Sequence, residues 1–143
     1  MIDALAVLTA VVLLAIAGLH VYWAAGGRWP GHDEASLNAL VVGGRPGAPM
    51  PPPFASIAVS AGISGIALGA VAARGLIELP LPGVVRVLTW IAAGVLAVRG
   101  LGGFFDLRLR PHTIALPFGR LNRRIYSPLC VALAGGLIVA LVG

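Results

Sequence analysis

The sequence predicts an all-α integral membrane protein, a four-transmembrane-helix bundle whose helices run up, down, up and down. Hydrophobic residues make up 59% of the 143-residue chain and charged residues only 10%, against about 45–50% and about 25% in soluble domains. The apolar residues fall into four long runs, 4–25, 54–73, 84–105 and 125–142. Each run is close to the roughly 20 residues that a helix needs to cross a bilayer. None of them alternates polar and apolar residues, as a strand of a membrane barrel does.

The runs are expected to be helices because backbone groups in lipid must be paired within their own segment. Little of the chain lies outside them, so we expect one transmembrane domain over residues 1–143. The first run follows Met1-Ile2-Asp3, which has no basic residue. It also exceeds the apolar core of a signal peptide, so it is interpreted as a retained span. The first loop, 26–53, is rich in glycine and proline and should be irregular, although its segment 33–42 is able to form a short interfacial helix.

The start of the fourth helix is ambiguous. Ser127 followed by Pro128 is a good N-cap and first-turn pair, but a helix from there has only about 15 residues, too few to span alone. Alternatively, Asn122 caps the helix and Pro128 kinks it. If Ser127 is the cap, free backbone amides lie inside the membrane beside Arg99. They would then form a site for an anion such as a lipid phosphate or a carboxylate.

The ten basic residues, all arginines, predict the orientation. The first and third loops lie on one side and carry seven of them, whereas the other side carries Arg74 and Arg86. Since short cytoplasmic loops are enriched in basic residues, we expect a plasma-membrane protein with both larger loops in the cytoplasm and both termini extracytoplasmic. Topology therefore explains the net charge of +5 better than nucleic-acid binding, which we do not expect. The single Cys130 excludes an intramolecular disulfide and a CxxC pair.

Polar side chains converge at one depth near the loop-side ends of the four runs. His20, Ser60, Arg99 and Cys130 lie five or six residues from those ends, or roughly 8–9 Å inside at about 1.5 Å per residue. A guanidinium at this depth is costly and usually has a partner or a function. We therefore predict a polar pocket on the cytoplasmic half. Its candidate ligand-binding residues are His20, Tyr22, Trp23, Ser60, Arg99, Asp106, Asn122, Arg124, Tyr126 and Ser127.

The members of this set also have structural interpretations. Arg99 could extend its head to the interface or pair with Asp106, which lies seven residues further on the same helical face. His20 could hold two helices together through a hydrogen bond, although histidine is also a base or ligand near neutral pH. The aromatic residues could form an interfacial belt. Close helix packing explains a stripe of small residues, Ser56, Ser60, Ser64, Gly65 and Gly69.

Sequence motifs for metal or cofactor binding are missing from the chain. The histidines and acidic residues have no metal-ligand spacing, and no phosphate-binding loop or nucleophile motif occurs. We therefore expect neither a metal nor a cofactor. Spans one and three end with similar residues, over 20–28 and 99–106. This weak internal similarity reflects either a duplicated helical hairpin or shared composition.

Several short motifs together carry a resemblance to a known family. They are GLHVYWA at 18–24, GGRWP at 26–30, RGLGGF at 99–104, and Asn122 with YSPLC at 126–130. In their order they resemble a bacterial family of small four-helix integral membrane proteins catalogued as a domain of unknown function. The resemblance covers nearly the whole chain. It implies the fold class and a bacterial inner membrane, and it implies no activity.

Two classes of function follow from the predicted pocket. The first is a non-enzymatic membrane module that binds a lipid-like or quinone-like ligand, a partner subunit or a second copy of the chain. The second is a small membrane enzyme acting on a lipid or isoprenoid-type substrate, with His20 as acid and base and Arg99 as the anion holder. We favour the first, because the chain has no clear nucleophile, metal site or redox pair.

Overall fold

The computed structural model describes residues 1–45, 47–105 and 116–143. Its α-helices are α1 (Ile2–Ala24), α2 (Glu34–Leu37), α3 (Pro53–Ala72), α4 (Pro82–Gly103), α5 (Pro117–Leu121) and α6 (Ser127–Val142). Two π-helical turns follow α2 and α5 directly, at Asn38–Val42 and Asn122–Tyr126. The described ranges contain no strand, and four of their helices are long and apolar enough to cross a membrane. The predicted all-α class with four membrane spans is confirmed, as is a short helix in the first loop.

The fourth span begins earlier than either predicted start. It runs without a break from Pro117 to Val142 through α5, the second π turn and α6. Ser127 has helical dihedral angles and its backbone N–H donates to the Asn122 carbonyl, so it lies within the helix and is not an N-cap. The wider π turn comes immediately before Pro128, whose ring and missing N–H would disturb a regular α-helix. The alternative of free amides inside the membrane at Ser127, and of an anion site built on them, was therefore wrong.

The long helices pack as two antiparallel hairpins. α1 packs along α3, and α4 packs along α6. The two hairpins contact each other through α1 with α6 and through α3 with α4, and both of these contacts are much sparser than those within a hairpin. The centre of the bundle is a cluster of small and aliphatic side chains, including Leu13, Ala67, Ala70, Ala93, Leu133 and Leu137. Such small residues let helix backbones approach closely in lipid.

The two hairpins meet at a pair of threonine–glycine contacts. Thr9 of α1 lies against Gly136 of α6, and Thr89 of α4 lies against Gly69 of α3. In both cases an added Cβ on the glycine would collide with the threonine hydroxyl. Gly65, by contrast, is exposed and has nothing within 4 Å of an added Cβ. The predicted close helix packing is therefore found at Gly69 and is not found at Gly65.

The two halves of the chain repeat the same order of elements. Each has a long helix, a short helix, a π turn and a second long helix. Both π turns start with a buried asparagine that follows a leucine, Leu37-Asn38 and Leu121-Asn122. The likeness between the halves therefore lies in these two turns as well as in the ends of spans one and three.

Candidate functional site

The polar side chains at the loop end of the bundle form two separate clusters. The first, called here the His20 cluster, consists of His20, Trp23 and the cavity beside them. The second, called the Asn122 cluster, consists of Arg99, Gly103, Asn122 and Ser127. No described contact joins His20 to Arg99. The two residues on which the predicted pocket depends therefore have different neighbours.

His20 is half-buried at the end of α1 and is fixed by its own helix. Its Nδ1 lies 2.9 Å from the carbonyl oxygen of Ile16. Because a carbonyl only accepts, Nδ1 carries the hydrogen, and in the neutral ring Nε2 is then an acceptor. The ring also meets Trp23 edge-on, with centroids 5.1 Å apart. His20 therefore presents one ring nitrogen, Nε2, for a further interaction.

A cavity of about 150 Å³ lies beside this pair. It is open on one side and is bordered by the first π turn, the following loop and the start of α3. Its lining includes His20, Trp23, Val41, Met50, Ser56 and Val59. Most of the lining is apolar, while the histidine ring and the Ser56 hydroxyl supply polar groups. The cavity therefore suits a small ring or headgroup with few hydrogen-bonding atoms.

Two further predicted site residues, Tyr22 and Ser60, form hydrogen bonds within the protein, as does the indole of Trp23. The indole N–H of Trp23 donates to the carbonyl of Trp29, at 2.8 Å, and the Tyr22 hydroxyl accepts from the Trp29 amide at 3.4 Å. The Ser60 hydroxyl donates to the Ala17 carbonyl at 3.0 Å and ties α3 to α1. Neither Tyr22 nor Ser60 lines the cavity.

The Asn122 cluster is a hydrogen-bond network between α4 and the fourth span. The Arg99 guanidinium donates through Nη2 to Asn122 Oδ1, at 2.9 Å, and Asn122 Nδ2 donates to the Gly103 carbonyl at 3.2 Å. The Ser127 hydroxyl donates to the same Oδ1 at 3.5 Å. Asn122 and Ser127 are fully buried. The network satisfies buried polar groups that would otherwise be costly in lipid.

Arg99 combines an exposed position with a buried partner. The residue lies on the outer face of α4, beside Val95 and Val98, and only its head reaches the buried amide. No described contact joins it to His20, with which it is expected to share the pocket. Its other predicted partner, Asp106, lies outside the described residues. Arg124, also a predicted site residue, is exposed.

Tyr126 links the two π-helical turns at the loop end. Its hydroxyl donates to the Leu40 carbonyl at 3.1 Å, and its ring lies 5.9 Å from that of Phe118. Phe118 in turn is buried against Gly43, where an added Cβ would collide with the ring. Tyr126 therefore joins the two halves of the chain and does not face the cavity.

Sequence reasoning missed the first buried asparagine. Asn38 Nδ2 donates to the Pro49 carbonyl at 2.7 Å, and its Oδ1 accepts from the Gly44 amide at 3.0 Å. These bonds fold the glycine- and proline-rich loop back over the cavity, towards Met50. The signal that could have found it is the leucine–asparagine pair that recurs as Leu121-Asn122.

The first loop has a capped helix next to this region. The Asp33 carboxylate accepts from the Ser36 amide at 2.7 Å, and the Ser36 hydroxyl accepts from the Asp33 amide, which forms a capping box at the start of α2. Hydrogen bonds from the Ser36 amide and hydroxyl lower the pKa of Asp33 below its usual value, with smaller help from His32 and Arg28. Among the described residues, no group of three or more histidine, cysteine, aspartate or glutamate side chains could hold a metal ion.

The comparisons with known proteins add a family and no relative of known activity. A family model described as "Protein of unknown function (DUF3995)" matches residues 13–137. These residues include the ends of α1 and α4, both π turns and most of α6. No curated protein and no solved structure matches the chain.

Proposed function

The chain belongs to the DUF3995 family of unknown function, and from that premise we propose that it is a non-enzymatic binding module in the plasma membrane. Its ligand is a quinone-like or lipid-like amphiphile in its hydroxyl-bearing form, such as a quinol. The head of this ligand enters the cavity beside His20, and residues 1–143 act as one transmembrane domain. The observation that carries the proposal is a ring-sized cavity lined by a histidine that keeps one nitrogen for a ligand.

The size of the cavity supports a ring-like head. A cavity of about 150 Å³ is comparable to engineered ones that hold a single benzene-sized molecule. A partner subunit would bind to an extended surface and would not need this space. Val59, which lines the cavity, is 46% exposed, so an apolar tail can leave the cavity along the outer face of α3. The ligand is therefore small at its head and apolar along its tail.

The chemistry of His20 supports a ligand that donates a hydrogen bond. With Nδ1 held by Ile16, the neutral ring accepts at Nε2, and the matching ligand group is a hydroxyl. The Trp23 ring and the apolar lining favour the flat, apolar face of such a head. A ketone oxygen that faces Nε2 of the neutral ring would meet a second acceptor. We therefore expect the hydroxyl-bearing form of the ligand to bind more tightly than its oxidised or methylated form.

The enzyme alternative requires His20 and Arg99 to meet one substrate. Arg99 is engaged by Asn122, and no described contact brings it to His20. An anion held by Arg99 would compete with an internal hydrogen bond. Binding at the His20 cluster is therefore proposed in place of catalysis shared between the two clusters.

The proposal is tested by titrating the purified protein with a short-tailed quinol and with its di-methyl ether. Quenching of Trp23 fluorescence reports binding, in a background where Trp29→Phe and Trp90→Phe remove the other indoles. His20→Phe keeps an aromatic ring and removes the acceptor, so it should raise the Kd for the quinol by roughly 5- to 30-fold, the value of about 1–2 kcal/mol for one hydrogen bond in a membrane. The exposed loop residue His32, changed to Phe, is the control. Equal Kd values for the quinol and its ether in the parent would contradict the proposal.

The orientation is proposed from the arginine distribution alone. Both termini are extracytoplasmic, and the loops that contain α2 and α5 are cytoplasmic. In a Cys130→Ser background, a membrane-impermeant thiol reagent should label Leu76→Cys in intact cells, but Ala48→Cys only after permeabilisation. The reverse pattern would overturn the orientation and leave the cavity argument unchanged.

A further inference from the structure

A second site lies at the opposite end of the bundle, between α3 and α4. An apolar groove of about 740 Å³ runs between these helices, and a hollow of about 580 Å³ lies at its mouth near the turn that joins them. Leu79 and Val85 line both spaces, so the two are continuous. We propose that this groove binds one phospholipid of the leaflet on the side of the termini. The acyl chain lies in the groove, and a headgroup with a phosphate and a primary ammonium lies in the hollow.

The groove exists because α3 presents small residues where it faces α4. Gly62 and Gly65 are exposed, line the groove, and have nothing within 4 Å of an added Cβ. Close approach is confined to Gly69, which packs against Thr89. α3 and α4 make far fewer contacts than the helices of either hairpin. In a membrane, space of this kind beside a helix pair is filled by a lipid chain or by another helix.

The length of the groove favours a lipid chain over a helix. Its lining on α4 extends from Val85 to Leu96, a rise of roughly 16 Å at about 1.5 Å per residue. This is about half of the roughly 30 Å hydrocarbon core, and it starts at the end of the helices. An acyl chain occupies one leaflet, so its extent matches that of the groove. The groove therefore matches one lipid chain in one leaflet.

The charges at the mouth match a zwitterionic headgroup. Arg86 and Glu78 both line the hollow, and no described ion pair joins them. Arg86 Nη2 donates to the Leu141 carbonyl at 2.6 Å, which positions a guanidinium that has further donors for phosphate. The Glu78 carboxylate accepts hydrogen bonds from a primary ammonium but not from a quaternary one. The pair therefore favours phosphatidylethanolamine over phosphatidylcholine and phosphatidylglycerol.

This site is independent of the His20 cluster, because it has its own residues at the other end of the bundle. The test is native mass spectrometry of the full chain, released from micelles that contain equal amounts of phosphatidylethanolamine, phosphatidylcholine and phosphatidylglycerol. We expect phosphatidylethanolamine to be retained in preference to the other two. Arg86→Gln and Glu78→Gln should each lower its retention by roughly two- to fivefold, as expected for a charge contact near the surface. Arg74→Gln, which removes an arginine that pairs with Asp3 on the same side, should leave it unchanged.

A second pair of variants tests the groove itself. Gly65→Leu places a side chain in the groove, and Gly135→Leu places one on α6; at both positions an added Cβ has nothing within 4 Å. Gly65→Leu should abolish lipid retention while the thermal unfolding midpoint stays near that of the parent, and Gly135→Leu should change neither. Equal retention of the three phospholipids, or retention unaffected by Gly65→Leu, would overturn the proposal. So would a dimer of the parent that Gly65→Leu converts to a monomer, because a second copy would then fill the groove. None of these outcomes bears on quinol binding at His20.

Discussion

The His20 cluster and the Asn122 cluster lie at the same end of the bundle and differ in how their polar groups are used. In the Asn122 cluster the amide, hydroxyl and guanidinium groups bond to one another, and an added Cβ at Gly103 would collide with the Ser127 hydroxyl. Beside His20, one ring nitrogen is held by the backbone and a cavity of about 150 Å³ remains. Polar residues at the same membrane depth can therefore either stabilise the fold or bind a ligand. The distinction depends on whether their hydrogen bonds close within the protein.

The largest effect on stability is expected from removing the side-chain amide at the centre of the Asn122 cluster. Asn122→Leu leaves the buried Ser127 hydroxyl and Gly103 carbonyl, and the head of Arg99, without their described partner. Because unsatisfied buried polar groups cost about 1–3 kcal/mol each, we expect destabilisation of about 2–4 kcal/mol, with quinol binding to the folded fraction retained. Equilibrium unfolding in mixed micelles measures the change, and Arg124→Leu at an exposed position is the control. A stable Asn122→Leu variant that fails to bind quinol would reverse the roles of the two clusters.

The next largest effect on stability is expected at Gly100, which is closely packed beside the Asn122 cluster. An added Cβ at Gly100 would lie 2.9 Å from the Val131 amide nitrogen and 3.0 Å from the Ser127 carbonyl oxygen, backbone atoms that cannot turn away. Gly100→Ala should therefore destabilise by about 1–3 kcal/mol, as overpacking does. Gly94→Ala, at an open position on the same helix, should be neutral or slightly stabilising because alanine favours the helix. Equal unfolding midpoints for the two variants would remove the claim that the cluster is tightly packed.

Replacement of Arg99 by lysine separates a fixed guanidinium from one that merely extends to the interface. A lysine also reaches the interface, but it does not reproduce the planar donor geometry towards Asn122. We expect Arg99→Lys to lower stability by about 1 kcal/mol, the usual net value of an interhelical hydrogen bond in a membrane. The same change at the exposed Arg123 should have no effect. If Arg99→Lys unfolds like the parent, the bond to Asn122 contributes nothing measurable.

The smallest expected effect is on pH dependence at the start of α2, next to the loop that covers the cavity. The pKa of Asp33 is lowered in the folded chain by hydrogen bonds from Ser36. Its contribution to the order of α2 is therefore fully present above the unfolded pKa of about 3.9. It is lost as the pH falls through the lower folded value. An NMR titration of the Ser36 amide should show this, and Asp33→Ala should abolish the transition.

The sequence predicted the fold well because long apolar runs are a local signal. α1 and α3 differ from the predicted runs by only a residue or two at their ends. The fourth span was harder, because the polar stretch Asn122-Arg123-Arg124 resembles a loop. It is helical since Asn122 finds partners on α4 and the arginines point outwards. Those partners are distant in sequence, so no local pattern reveals them.

The pocket was harder to predict than the helices, because counting residues from the end of a helix gives the depth of a side chain but not the neighbour that it faces. Each long helix is apolar on nearly all sides, so its sequence does not show which face meets which neighbour. His20 and Arg99 were therefore placed at one depth without evidence that they face each other. Asn122 and Ser127 were selected for the same region, and the structure does bring them together with Arg99. The ligand role of the predicted residues stays a prediction.

The central claim is that ligand binding occurs at the His20 cluster and not at the Asn122 cluster. It is tested most directly by irradiating the protein in micelles with a short-tailed quinol that carries a diazirine on its ring, followed by peptide mapping. We expect modification within the two cavity-lining segments, around His20 to Trp23 and between Val41 and Val59, and its loss when excess unlabelled quinol competes. Competable modification concentrated between Arg99 and Ser127 instead would contradict the account.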